Sequence, residues 1–519
     1  MKKSLILIAL SAGLAALMGV ACTDESDKAS GFLPPDIFTD EEETTYPDDL
    51  PTPGEMIPYE ESLIDRPYRP IVVKYASGYP PVSSWKQANT RLLAYMYGYE
   101  RQISTYEEYS AVTDEYGGYT AGSVQPATGR FYVKQLGDRW WIIDPHGYPY
   151  YLRGVASFRK GTSDRNQKAW NQRFGNDDNW VSVTRNELAR IGVHATGAFG
   201  SNGAYGIQQS YNAAHPSTPF PLAPSFGFLS QFRSQKNHAY ADGNSANAIG
   251  LVLYDDWGAF CEEYMRSSAF KPYVGDPNTF GFFSDNEIDF SSQNSSLLRR
   301  FLDIKDHTDI AYLTAQSFME EKKTSTVTDA LNSEFAGRLA ERYYRGVREA
   351  LDKVDPQLLY LGTRLHGTPK YLEGVVRAAG KYCDIVSINY YSRWSPEGTS
   401  YIPQWAAWAG KPFLVSEFYT KGVEDSDLNN GSGAGFCVPT QKERAYAYQH
   451  FTLGLLEAKN CVGWYWFKYQ DDDGSDNSGK PANKGIYDNY YQQFPYLSQL
   501  MREINYNVYN IIEYFDAQL

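Results

Sequence analysis

Cysteine is scarce in this chain, with five in 519 residues. Beyond Cys22, the other four (Cys261, Cys383, Cys437 and Cys461) stand far apart and form no CxxC pair, which argues against a zinc site. Cys383 and Cys461 each open an apolar run and read as small buried residues, with room for at most an incidental disulfide. Basic charge is also short: 48 Lys and Arg against 62 Asp and Glu leave a net charge of −14. A surface of that sign repels a phosphate backbone, so nucleic acid is not an expected partner. No internal repeat is present. The acidic run Asp471-Asp472-Asp473-Gly474-Ser475-Asp476 lacks the glycine at position six that an EF-hand requires, so it reads as a solvated loop rather than a calcium site. Neither a metal nor a cofactor is expected.

What the chain has in quantity is aromatic side chains, 15% of residues, including 43 Tyr and 11 Trp. That supply suffices for a large core and leaves rings over for surfaces that stack on sugars. The first 21 residues form a signal peptide by pattern: Lys2 and Lys3, then the apolar stretch Ser4 to Val20, then Ala21-Cys22. The apolar stretch is short for a membrane span. Cys22 after the cleavage-like site resembles a lipobox, although Gly19 stands where that motif prefers Leu. The acidic Thr23–Asp27 resembles the export tag of surface lipoproteins in Bacteroidetes-type bacteria. These resemblances imply lipidation at Cys22, an outer-membrane address and membrane contact through the lipid alone. Residues 22–70, acidic and rich in proline, read as an unstructured tether.

Residues 71–150 read as an N-terminal extension. It ends in a β-meander punctuated by Leu136-Gly137-Asp138 and Asp144-Pro145-His146-Gly147, with Trp140 and Trp141 anchoring it. From 151 to 519, short apolar runs alternate with longer helical stretches, as in a (β/α)8 TIM barrel. The strand candidates are 151–155, 191–200, 220–228, 279–290, 358–367, 382–392, 411–422 and 461–471. Between 333 and 354, Phe335, Leu339, Tyr343, Val347, Leu351 and Val354 recur on a helical period. The stretch 202–250, rich in glycine and asparagine, reads as an insertion near the barrel mouth.

A barrel of this type carries its chemistry at the C-terminal strand ends. The fourth run ends in Asn286-Glu287 and the seventh in Ser416-Glu417, remote in sequence and adjacent in such a fold. Two facing carboxyls suit glycosidic cleavage: a protonated one serves the leaving oxygen and an ionised one attacks the anomeric carbon. A separation near 5 Å would make the reaction retaining. Asn186-Glu187, inside a helical stretch, supplies an internal control and reads as a solvated face. Arg364 and His366, after the fifth run, are candidates for binding sugar hydroxyls. Trp464 and Trp466 alternate with Tyr465 and Phe467, so one pair faces the barrel interior and the other the helices.

The motifs WWIIDPHGYPYYLRGV, GFFSDNEIDF, CDIVSINYYS, KPFLVSEFY and GWYWFKYQD resemble clan GH-A glycoside hydrolases, and within them the agarase-type enzymes of family GH50. The resemblance covers roughly residues 130–515. It implies Glu287 as acid/base, Glu417 as nucleophile and Asn286 as partner of the sugar 2-hydroxyl. Tyr391, with Tyr390 as fallback, would bond the nucleophile, and Trp466 would floor the subsite of the reacting sugar. The arginine that many clan members carry after the second strand is missing; this chain has Thr196-Gly197-Ala198-Phe199-Gly200. The implied substrate is a polysaccharide or oligosaccharide, agarose or another β-galactan, with no protein partner evident. The alternatives are a clan relative acting on β-glucan, β-mannan or a host glycan, and a non-catalytic surface glycan-binding lipoprotein.

Overall fold

The computed structural model describes residues 50–518, except 101–102, 237–248, 292–295 and 475–479. The signal peptide, Cys22 and the first part of the expected tether lie outside the described residues, as does Asp476.

Eight parallel strands close into a barrel: β1 Leu152–Val155, β2 Ala195–Thr196, β3 Ser225–Phe226, β4 Gly281–Ser284, β5 Leu359–Tyr360, β6 Val386–Asn389, β7 Phe413–Phe418 and β8 Cys461–Trp466. Neighbours pair in chain order, and β8 returns to β1. The bridges Thr196–Leu222 and Leu365–Ile388 complete the ring where strands are short. The interior is packed with Leu152, Phe283, Leu361, Ile385, Leu414, Val462 and Tyr465, while a larger cluster lies between strands and helices. Gly463 has φ +145°, and a Cβ there would lie 2.3 Å from the Leu152 carbonyl oxygen. Only glycine fits so close to β1 in that conformation.

The helix Asp329–Val354 is capped by the Thr328 side chain. It buries Phe335, Leu339, Tyr343, Val347 and Leu351, the stripe its sequence period predicts. Burial of each such side chain is worth roughly 1.5–3 kcal/mol. The stretch expected as an insertion is partly regular: Asn202–Ala214 and Phe228–Lys236 are helices, and 237–248 lies outside the described residues.

The expected tether stops short of Pro70. Ile64 and Tyr68 are buried, and Ile57 pairs with Tyr68. Glu457, on the helix Gln441–Glu457, accepts from Ser62 Oγ and Leu63 N and pairs with the buried Arg91. The residues from 50 to 96 are thus fastened to the barrel wall. The meander forms as its sequence suggests, Tyr132–Leu136 and Arg139–Ile143 antiparallel with Pro149–Tyr150 alongside, and Trp141 stacks on Tyr509. Four cysteines are free and buried. Glu187 corrects a second expectation: it is no solvated face but pairs with Arg173 and accepts from Tyr487.

Candidate active site

Side chains along a regular strand alternate between faces, and β7 departs from that rule at its end. Leu414 belongs to the interior, and Ser416, two residues on, donates to Asn389 Oδ1 at 2.7 Å. Phe418 should then face inward. It stacks instead on Phe451 of the outer helix, because the register with both neighbouring strands shifts over Val415–Phe418. An irregularity of this kind re-aims one side chain, and here it turns Glu417 to the barrel mouth. On β4 the corresponding device is backbone strain. Asp285 and Glu287 both adopt positive φ, 53° and 52°, a costly conformation for side chains of that kind. Asp285 secures the turn: it is buried, accepts from Leu229 N and receives the Tyr343 hydroxyl at 2.6 Å. Burial pushes its carboxyl up to about 7.

Glu417 is 5% exposed. One carboxylate oxygen pairs with Arg364 and the other receives the Tyr391 hydroxyl at 2.6 Å. Burial raises its pKa above the ordinary carboxyl range, the Arg364 charge opposes the rise, and the nearby Glu287 charge adds to it. Glu287 is more open, with about a third of its side chain exposed. Its Oε1 accepts from Asn389 Nδ2 at 2.7 Å and lies 3.8 Å from His366 Nδ1. The two glutamates therefore meet at the mouth in unlike surroundings, one enclosed beside a cation and one open to solvent.

Arg364 does not reach a sugar, contrary to the sequence expectation. It is fully buried at φ 58°. Its Nε donates to Asn286 Oδ1 at 3.0 Å, and its guanidinium sits 4.9 Å from both the Phe199 and Phe283 ring centroids. The cation beside Glu417 thus comes from the end of β5, and Phe199, which follows β2, packs against it. Asn286 has its amide oxygen committed to Arg364, which fixes how the amide is turned. Tyr390 is not an alternative to Tyr391: its hydroxyl donates to Glu397 at 2.8 Å. Trp466 is a further correction. It faces the helices, 2% exposed, and donates to the Lys484 carbonyl. Phe467 lines the cleft instead, 5.7 Å from the Tyr419 ring and 6.2 Å from Phe199.

Beside the carboxylates opens a cleft of about 930 Å³, lined among others by Phe199, Phe467, Trp170, Asn166, Lys468 and Lys484. Asp472 lies between the two lysines and pairs with both, so the acidic run is bound within the protein up to this point rather than solvated. Aromatic faces with a few fixed polar groups suit a carbohydrate chain. Sequence reasoning missed Asn389, Ser416, Phe199, Phe467 and the lysines. Asn389 and Phe467 each adjoin a residue that was chosen, so the error there was one of strand parity. We expect Phe467→Ala to raise KM about tenfold. Trp466→Phe should leave KM unchanged and lower Tm. Steady-state kinetics and a melting curve on both variants check this.

A solved relative decides the family. The crystal structure of BpGH50 is 47% identical to this chain and superimposes with a TM-score of 0.85, covering 90% of this chain and 100% of that one. The chain belongs to glycoside hydrolase family GH50. No family model matches it. Among curated proteins, β-agarase A of Vibrio sp. (strain JT0107) is 27% identical over 308 residues, which is 56% of this chain. β-Agarase B of the same strain is 28% identical over 184 residues, 34% of this chain. The matched stretches span only 30% and 18% of those two proteins. The crystal structure of an agarase, AgWH50C, shares the fold at 18% identity, with a TM-score of 0.63 over 80% of this chain and 71% of that one. This GH50 chain thus carries both glutamates at strand ends of the family's barrel.

Proposed function

We propose that this GH50 protein is a retaining glycoside hydrolase that cleaves β-linked galactan, with agarose as the leading substrate. The observation that carries the reading is Glu417, held by Arg364 and Tyr391 beside the more exposed Glu287. In the first step Glu417 attacks the anomeric carbon while Glu287 gives its proton to the departing glycosidic oxygen. A covalent glycosyl ester forms and the sugar–oxygen bond breaks. Glu287, now ionised, takes a proton from water, whose oxygen displaces Glu417 and restores the original configuration. The two carboxyl groups and one water molecule account for every proton and electron pair in this scheme, so no cofactor is invoked. The substrate class is supported by the similarity to two β-agarases. Lipidation at Cys22 and display on the outer membrane are supported by the N-terminal sequence pattern, and no helix among the described residues is long and apolar enough to cross a membrane.

The deciding experiment is product analysis on agarose, porphyran, other galactans, laminarin and mannans, with the anomeric form of the first product followed by NMR. Release of β-anomeric oligosaccharide from one galactan supports the reading. Release of the α-anomer would overturn retention, cleavage of laminarin or mannan alone would overturn the substrate, and binding without cleavage would make the protein a glycan-capture lipoprotein.

A further inference from the structure

The segment before the barrel reaches the catalytic face. Its hairpin pairs Ile71–Tyr75 with Lys86–Thr90 and lies against the loop that follows β7. Ala76 pairs with Cys437, and Tyr75 meets the Phe436 ring edge-on at 5.0 Å and stacks on Trp394 at 4.8 Å. The chain then turns at Gly78, whose φ of +95° suits glycine, and brings Tyr79 to the end of β7. There Lys421 Nζ lies over the Tyr79 ring, 4.9 Å from its centroid.

Lys421 is the costly part of this arrangement. It is 0% exposed and, among the described residues, pairs with no carboxylate. Its Nζ donates instead to the carbonyl oxygens of Gly78, Ser432 and Gly433, at 3.4, 3.2 and 3.3 Å. Burial pushes its pKa down to about 8. A buried ammonium without a counter-ion destabilises a fold, and local costs of this kind gather at functional sites. One of the three carbonyls belongs to the extension and two belong to a loop that borders the active site. Ser432 Oγ accepts from Lys484 Nζ at 3.3 Å, and Lys484 lines the cleft. A Cβ on Gly433 would lie 1.9 Å from the Tyr419 hydroxyl. The Tyr419 ring in turn stands 5.4 Å from Tyr391, the partner of Glu417, and 5.7 Å from Phe467. Lys421 thus locks the extension onto the rim of the site.

The lock presents one aromatic ring. Tyr79 is 52% exposed, against 5% for Tyr419. With the ammonium over one face of the ring, that exposure falls on the other. We propose that Tyr79 is a carbohydrate platform, a subsite on which a pyranose ring of the polymer stacks beyond the sugar held at the two glutamates. The proposal rests on the glycanase reading of the site and adds to it a residue from outside the barrel. Position and chemistry specify the occupant. The cleft is lined from the ends of β1, β2 and β8, by Ser157, Phe199 and Phe467 among others, whereas Tyr79 stands over the end of β7. A chain that fills the cleft and continues past Glu417 on that side meets Tyr79. The C–H face of a pyranose is apolar and suits the negative face of an aromatic ring.

The test compares a polymer with an aryl monoglycoside, which reaches only the site of the reacting sugar. The polymer is whichever one the native enzyme cleaves. Tyr79→Ala should lower the ratio of kcat/KM on the polymer to kcat/KM on the aryl glycoside about tenfold, through KM on the polymer. Tyr79→Phe keeps the ring and should hold the ratio within about twofold of native. Tyr97, on the same extension and 50% exposed, is the control, and Tyr97→Ala should leave the ratio at its native value. If Tyr79→Ala loses activity on both substrates together, the ratio stays constant, Tyr79 only supports the fold and the subsite is overturned. A native KM on the polymer overturns it too. In both cases the native enzyme still cleaves, so the glycanase reading stands. If the native protein binds a polymer without cleaving it, that reading falls alone. Calorimetric titration with the same polymer then takes the place of kinetics, with the same tenfold weakening expected of Tyr79→Ala. A native protein that neither cleaves nor binds any polymer overturns both.

Discussion

Glu417→Gln is expected to lower kcat on a galactan by on the order of 100,000-fold, the scale seen when an enzymic nucleophile is removed. The amide keeps the shape of the carboxylate and its contact with Tyr391 but cannot form the glycosyl ester. Glu287→Gln should behave differently. On the polymer, loss of the proton donor costs roughly 100- to 10,000-fold. On an aryl glycoside with an acidic phenol as leaving group, protonation is not needed, so the first step should proceed near its native rate. The glycosyl-enzyme then accumulates, because nothing deprotonates water. Azide, which needs no base, should attack the ester and release a glycosyl azide of retained configuration. A burst followed by azide acceleration in Glu287→Gln, with neither in Glu417→Gln, would establish which glutamate has which role. Full activity in either variant would remove that residue from the mechanism.

How far the sequence displayed this site follows from what a linear pattern encodes. Apolar runs broken by turn residues marked all eight strands, because burial on both faces requires them. The ends of those runs marked Glu287 and Glu417. The facing of Trp466 and Phe467 was not legible. Gly463, at φ +145°, interrupts strict alternation in β8, and the parity of the following residues depends on that conformation. The same holds at β7, where a register shift decides that Glu417 rather than Phe418 points to the mouth. The role of Arg364 was hidden for another reason. A buried guanidinium and one that touches solvent look alike in sequence, and only the enclosing rings of Phe199 and Phe283 distinguish them. The extension from 50 to 70 read as a tether because proline and acidic residues obscured Ile64 and Tyr68, which are anchored in three dimensions by Arg91 and Glu457.

Arg364 supports a prediction of its own, because it supplies the charge that opposes burial at Glu417. Arg364→Met keeps most of the side-chain volume between the two phenylalanines and removes the cation. Glu417 then sits buried beside Glu287 with only Tyr391 favouring its charged form, so its pKa must rise further. Cleavage needs Glu417 ionised, and the acid limb of kcat/KM against pH reports this group in the free enzyme. The limb should therefore move to higher pH in the variant, with a fall at its optimum of about 100- to 1,000-fold, as when a charge-stabilising donor is lost. The sign for stability is opposite to that of an ordinary salt-bridged carboxylate. With the folded-state pKa above the unfolded one, the folded form binds the proton more tightly. Variant stability is thus greatest below the unfolded-state value and declines as pH rises through the folded one. Melting curves across that range should show Tm of Arg364→Met approaching the native Tm as the solution is acidified. A variant whose acid limb stays in place while its kcat falls would mean that Arg364 acts through the turn of the Asn286 amide. In that case the charge it places beside Glu417 would not be what matters, and Asn286→Ala should reproduce the loss.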